Sequence, residues 1–462
     1  MIKNRNKVIA FNIASTIILQ GLAFISGPIF SHALGTDNYG IASVYLTWVT
    51  LASTIFSLQA GGTVAVARVN FPPEDQVHYQ SSVLSLATTA YAGFSMMTIL
   101  VCFIGRSWVD INIPMIVVGL LHGWGLYCVN FMNLKLTYEF KANLNFILSV
   151  TVSVLTIGIS LLLIHSLPSE TNYWGRIIGQ AVVYTIIGLV LYLYIISKGK
   201  VFYNKTFWKF TLPISIPTVF HLLANLILGQ SDRVMLQSMD SNSAAGIYAL
   251  SSTFGMVLFT IYSALNNSWV PFYYDYTANK QIEEIRKHAR NYIELFSILT
   301  VGFILLAKEV FHIYAAKSFW GGTDLIPLFS LGNYFVFLYS FPVNYEFYHK
   351  KTAIIAIGTS CAAVCNIILN FFFIRRLGIY GAIIATTVSH GFQFGFHYIF
   401  AKRIGTGGFP FSMGDFIPWF LVVCVACIVY YLTSDLWIVR WGISVIMGTY
   451  LLIRIIKRKE VF

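Results

Sequence analysis

In LILGQSDRVMLQSM, residues 226–239, an acid and a base, Asp232 and Arg233, stand side by side at the end of an apolar run. A charge at the centre of a bilayer costs from about 3 to over 10 kcal/mol, so such a pair needs a reason. At 100° per residue, His221, Asn225 and Asp232 fall within about 40° of one another on a helix, and Pro217 lies close to the same face. There it can bend the helix or free a carbonyl. Thr16, Gln20, Gly27 and Ser31 form a second stripe, and Thr386, His390, Gln393 and His397 a third. Ser263, Asn266 and Asn267 add a shorter one. Lipid would leave such groups unsatisfied, so they face protein or water. Both a cavity lining and a buried interhelical network meet that demand. Amides, hydroxyls and aromatic rings suit the hydroxyls and flat CH faces of a sugar, and an imidazole can carry a proton. The cavity candidates are therefore Thr16, Gln20, His221, Asn225, Asp232, Asn266, Asn267, His390 and Gln393. An isolated histidine such as His122 is read as a satisfied interior residue.

The elements that carry these stripes follow from composition. Of 462 residues, 57% are hydrophobic and 10% charged, and the mean hydropathy is +0.71. No water-soluble chain could cover so much apolar surface, which makes this an all-α polytopic membrane protein. Runs of about 20 apolar residues mark spans, and fourteen are expected, including 8–33, 39–63, 210–236, 291–314, 325–348, 379–401 and 437–456. The first has the flanks of a secretory signal, but its length predicts an uncleaved helix. The six cysteines fall in apolar stretches. Cys424 and Cys427 have redox-like spacing without a surrounding βαβ pattern and are read as packing. Cys361 and Cys365 share a helix face with no His or carboxylate partner, which predicts no metal site.

With both termini inside, the inner segments hold 22 of the 30 Lys and Arg and the outer ones 7. The positive-inside rule therefore places both termini in the cytoplasm. The net charge of +12 is a topology signal and a contact for anionic headgroups, not a nucleic-acid footprint. The longest polar stretch, DYTANKQIEEIRKHARNY, is expected as a cytoplasmic helix running into the ninth span, with Glu283 and Lys287 paired at i,i+4. No GxxxxGK[ST] phosphate loop occurs.

The chain also repeats itself. Gly40–Ile41 aligns with Gly246–Ile247, and Gly175 with Gly381, each at an offset of 206 residues. The triplet YEF recurs at Tyr138–Phe140 and Tyr345–Phe347, both read as just beyond an even-numbered span. The repeat divides the chain into six-helix lobes at 1–206 and 207–412 and a terminal pair at 413–462. Parallel halves of this kind leave a cleft between them.

LGTDNYG after the first span, DRVMLQ ending the seventh, AAGIYALSS opening the eighth and YEFYHKKT after the tenth resemble the oligosaccharide flippases. These are the Wzx-type branch of the multidrug/oligosaccharidyl-lipid/polysaccharide exporter superfamily, and the resemblance covers essentially the whole chain. It implies two lobes about a central cavity, alternating access, and transfer of undecaprenyl-pyrophosphate-linked sugar repeat units to the outer leaflet of the bacterial inner membrane. The glycan would serve O-antigen, capsule or exopolysaccharide synthesis. No cofactor is expected beyond a coupling proton or sodium ion. The implied partners are the lipid-linked oligosaccharide, membrane lipids, and a polysaccharide polymerase with its chain-length regulator. A pyrophosphate wants cations, for which Arg68, Arg176 and Arg233 are the candidates. On this reading Asp232 sits near the outer end of the seventh span facing the cleft, and Arg233 points about 100° away toward a neighbouring helix or outer headgroups. Two alternatives share the superfamily: a lipid II flippase and a small-molecule antiporter. The absence of a mid-span carboxylate in the sequence reading counts against the antiporter. An enzyme such as a polysaccharide polymerase would need a large external loop or clustered catalytic carboxylates.

Overall fold

The computed structural model describes the backbone of residues 2–106, 112–404 and 408–458, with side chains from 24 to 457 among them. Within these residues the chain forms fourteen α-helices, short 3₁₀ turns and no strand. Eleven helices are long and apolar enough to cross a membrane. The number fourteen is reached differently from the expectation. The first two spans form one element, α1 (Ile2–Phe56), broken at Gly35. There φ 70 and ψ 175 define a backbone state open to glycine and strained for other residues. The second span stops at Phe56, short of the expected residue 63, and Leu58 and Gln59 take positive φ. The following AGGT is a 3₁₀ turn leading into the short α2 (Val64–Asn70), as its adjacent glycines favour a break over a continued helix.

The helices that follow are α3 (Gln76–Gly105), α4 (Ile113–Tyr138), α5 (Ala142–Ser166), α6 (Tyr173–Gly199), α7 (Lys205–Met239), α8 (Asn242–Ala278) and α9 (Ile282–Tyr314). The last five are α10 (Ile326–Tyr348), α11 (Thr352–Leu377), α12 (Ile379–Arg403), α13 (Met413–Leu432) and α14 (Trp437–Arg458). Two compact units divide them: Met1–Leu34 with Asn38–Leu226, and Gly35–Asp37 with Ile227–Phe462.

In the first unit α6 packs on α3, α4 and α5. Tyr79, Phe131, Met132 and Phe207 are buried in its core. A chain of hydroxyls, Thr63 to Tyr79 at 2.7 Å and Tyr79 to Thr211 at 2.9 Å, satisfies polar groups there. His122 is buried and lies 3.1 Å from the Tyr45 hydroxyl through Nδ1.

In the second unit α12 packs along α10 and α11, while α13 and α14 lie on α9. Its core is aromatic, with Trp269, Tyr292, Phe296, Tyr334, Phe337 and Phe341 all buried. The terminal pair is tied to α9 by Arg440, which is fully buried and pairs with Glu309, and by Lys308, which donates to the Ser434 carbonyl at 2.9 Å. The Cys427 thiol donates to the Pro327 carbonyl at 3.7 Å.

Three connections close in the same way. Phe140, Lys280 and Lys350 each have φ near +57° (58, 56 and 57). Each donates its N–H three residues back, and the next residue donates five back, to Leu136, Tyr276 and Glu346. These are Schellman turns built without glycine. The turn at Lys280 separates α8 from α9, so the polar segment reaches the ninth helix only from Ile282 onward. There Glu283 pairs with Arg286 and Glu284 with Lys287, both at i,i+3 and 3.7 Å, in place of the expected Glu283–Lys287 contact.

Candidate functional site

Asp232 is 1% exposed and lies wholly within the second unit. The sequence reading opens it to a cleft. Instead its carboxylate accepts hydrogen bonds from the Tyr248 hydroxyl on α8, the Asn370 amide on α11 at 2.5 Å and the Thr386 hydroxyl on α12 at 2.6 Å. Asn366 continues the cluster, donating to Thr386 at 3.0 Å and accepting from Asn370 at 3.0 Å and from Ser231 at 2.9 Å. Four helices thus converge on one desolvated carboxylate whose hydrogen-bond partners are all neutral. The Asn370 Oδ1 atom, buried beside it, accepts no hydrogen bond among the described residues. One carboxylate among hydroxyl and amide oxygens suits a hard, weakly charged ligand, a proton or an alkali cation, and does not suit a soft transition metal.

Further along α12, His390 Nδ1 lies 3.4 Å from Gln393 Oε1, and Gln393 donates to Thr359 of α11 at 3.4 Å. Beyond it His397 Nδ1 meets Glu346 Oε2 of α10 at 2.8 Å, with both side chains 0% exposed. The stripe expected on the twelfth helix therefore becomes a buried ladder linking α10, α11 and α12. Asp232, Glu346 and, on α9, Glu294 are carboxylates buried inside helices, which removes the sequence-based objection to an ion site within a lobe. The second YEF triplet also moves. Glu139 caps α4, whereas Glu346 lies inside α10, two residues before its end. Burial pushes the Glu139 carboxyl up, but Lys135 and Lys141 together outweigh it and hold the group below its ordinary value.

The remaining candidates are scattered. His221 and Asn225 contact each other at 3.3 Å on α7, with His221 half-buried and Asn225 exposed. Asn266 accepts from Asn344 at 3.1 Å, while Asn267 is exposed. The side chains of Thr16 and Gln20 lie outside the described residues. Arg233 is half-buried and donates to Ser252 of α8 at 2.9 Å. Arg176 is buried with its guanidinium 4.5 Å from the Phe30 ring and 4.7 Å from that of Tyr39. Arg68 is exposed on α2, 5.0 Å from the Phe140 ring. Tyr248, Asn366, Asn370 and Glu346 are the site residues that the stripes did not include. Asn366 and Asn370 carried the same signal, an i,i+4 amide pair within an apolar run.

Comparison with known proteins places this architecture. Residues 6–276 match the family described as polysaccharide biosynthesis protein. The chain belongs to that family. Relatives of this family member include two from Haemophilus influenzae (strain ATCC 51907 / DSM 11121 / KW20 / Rd). The Lsg locus protein 1 is 22% identical over 75% of this chain and 84% of its own. An uncharacterised membrane protein is 21% identical over 77% and 85%. Among solved structures, the lipid II flippase MurJ in an inward closed conformation superposes with a TM-score of 0.70. That match is 16% identical and covers 98% of this chain and 100% of MurJ. An inward-facing multidrug resistance MATE family transporter of the MOP superfamily gives 0.56 at 13% identity, over 85% and 98%. The family member thus shares the fold of these transporters and is a multi-pass membrane protein.

Proposed function

We propose that this chain is a Wzx-type flippase. It carries undecaprenyl-pyrophosphate-linked oligosaccharide repeat units across the bacterial cytoplasmic membrane by alternating access, with both termini in the cytoplasm. The lobes are 1–206 and 207–412, the terminal pair is 413–462, and the exported glycan feeds O-antigen, capsule or exopolysaccharide assembly beside a polymerase and a chain-length regulator. Membership of the polysaccharide biosynthesis protein family over residues 6–276 carries the reading, and a flippase-like fold along 98% of the chain supports it. The chemistry is translocation without a covalent step. A proton or a sodium ion binding at Asp232, beside Asn366, Asn370 and Thr386, couples the cycle. Arg68, Arg176 and Arg233 are the cations available to a pyrophosphate.

The deciding experiment reconstitutes the purified protein in liposomes holding defined lipid-linked sugars and measures their appearance in the outer leaflet. Movement of undecaprenyl-pyrophosphate oligosaccharide above protein-free vesicles is the expected result. No movement under either a proton or a sodium gradient overturns the reading. The resemblance in fold to a lipid II flippase motivates the second reading, and lipid II in parallel vesicles tests it.

A further inference from the structure

We propose that Glu346 and His397 form a proton-binding site, separate from the Asp232 cluster, that holds a single proton while α10 is closed against α12. The pair joins the C-terminal parts of these helices at 2.8 Å, and neither side chain is exposed. Glu346 Oε1 and His397 Nε2 each have no hydrogen-bond partner among the described residues, so the pair is not stitched into a wider network. The site is shaped around the imidazole. A β-carbon on Gly358 of α11 would press on His397 Cε1 and Nε2 at 2.7 Å. The Tyr339 ring stacks against the imidazole, with centroids 6.0 Å apart.

The titratable and charged groups on the surrounding elements leave the pair to balance itself. On α10 stand Tyr339 and, beyond Glu346, His349, with Lys350 and Lys351 in the following turn. The Lys351 N–H donates to the Glu346 carbonyl at 2.9 Å. On α12, Lys402 and Arg403 lie over the rings of Tyr398 and Phe400, and His390 contacts Gln393. From α11 come Gly358 and Thr359. From α8 come Tyr262 and Asn266, the latter bonded to Asn344. Arg290 of α9 and Asp415 of α13 pair with each other at 2.7 Å.

Charge decides the proton count of the closed site. With one proton between Nδ1 and Oε2 the pair is neutral overall. Without it, the interior holds an uncompensated negative charge; with two, a positive one; both are costly. Parted and wetted, a glutamic acid titrates near 4.3 and an imidazole near 6.5. Closure above about pH 6.5 therefore takes a proton from water, between about 4.3 and 6.5 exchanges none, and below about 4.3 releases one. The closed contact is strongest in the middle window and weakens toward tenfold per pH unit as pH rises above it. Because the ligand is the proton itself, only the side from which it enters rests on the flippase reading.

Hydrogen exchange of the full-length protein in lipid nanodiscs, corrected for the intrinsic pH dependence of amide chemistry, tests this between pH 5 and 8.5. In the wild type, protection of 343–348 and 394–400 should be flat to about pH 6.5, then fall by close to tenfold per unit. Glu346→Gln and His397→Gln should each abolish the slope; whichever variant folds serves, and the wild-type profile decides if neither does. A flat wild-type profile, or a slope that survives in a folded variant, overturns the proton site. Flat exchange in a protein that flips lipid-linked sugar would sink this proposal alone; an intact slope without flipping would sink only the transport reading.

Discussion

The three donors around Asp232 set what its replacement does. Alanine there would leave Tyr248, Asn370 and Thr386 without their acceptor, each worth about 1–3 kcal/mol when buried. Asparagine keeps the shape and part of the bonding but cannot balance a cation or take up a proton. Asp232→Asn should therefore reach the membrane at near wild-type level while glycan export falls at least tenfold, measured as surface glycan at matched protein amount. Export unchanged at that level removes Asp232 from the pathway. Asp232, Thr386, Gln393 and His397 were legible in sequence because polar groups at helical spacing in an apolar run need a common partner. Tyr248 carried no such mark, being one of 27 tyrosines, most of which an interfacial belt would explain. Glu346 falls inside the expected span 325–348, which ends with α10 as expected, but reading its YEF triplet as lying just beyond a span kept it off the stripes.

At the scale of elements, Gly175 and Gly381, aligned at an offset of 206 residues, share a packing role. A β-carbon on Gly175 would fall on the α5 backbone at Leu163 and Ile164, and one on Gly381 on the α11 backbone at Phe373 and Ile374. Each glycine lets its helix start flush against the end of the preceding one. Alanine at Gly381 should cost about 1–3 kcal/mol through overpacking, read as a lowered unfolding midpoint in detergent, and alanine at Gly175 should cost a comparable amount. A loss under 0.5 kcal/mol at both would show that the helices part freely. Most helices could be drawn from apolar run length. Their exact ends could not, because Leu58, Gln59, Phe140, Lys280 and Lys350 take left-handed backbone without the glycine that usually announces it.

At the scale of the whole molecule, orientation is the property that every other assignment inherits. A cysteine introduced at Ser241, the N-cap of α8, in a background without native cysteines should react with an impermeant thiol reagent from outside intact cells. Labelling only from the cytoplasm would invert the topology and the side from which the Glu346–His397 proton comes. The division of labour between helices was less legible than their number. α12 is too polar to be counted among the eleven apolar spans, and the residues that lower its hydropathy are those that hold the buried ladder together. The Schellman turns at Lys280 and Lys350 carry a last consequence. Left-handed backbone costs a residue with a side chain about 1–2 kcal/mol, and glycine much less. Glycine at both positions would give a sturdier folded protein, yet would erase two of the positive charges that the proposed topology places on the cytoplasmic side. On the proposed topology, Ser241 labelling should then show copies threaded the wrong way when both lysines are replaced, while an unchanged labelling pattern would mean that these charges do not set orientation.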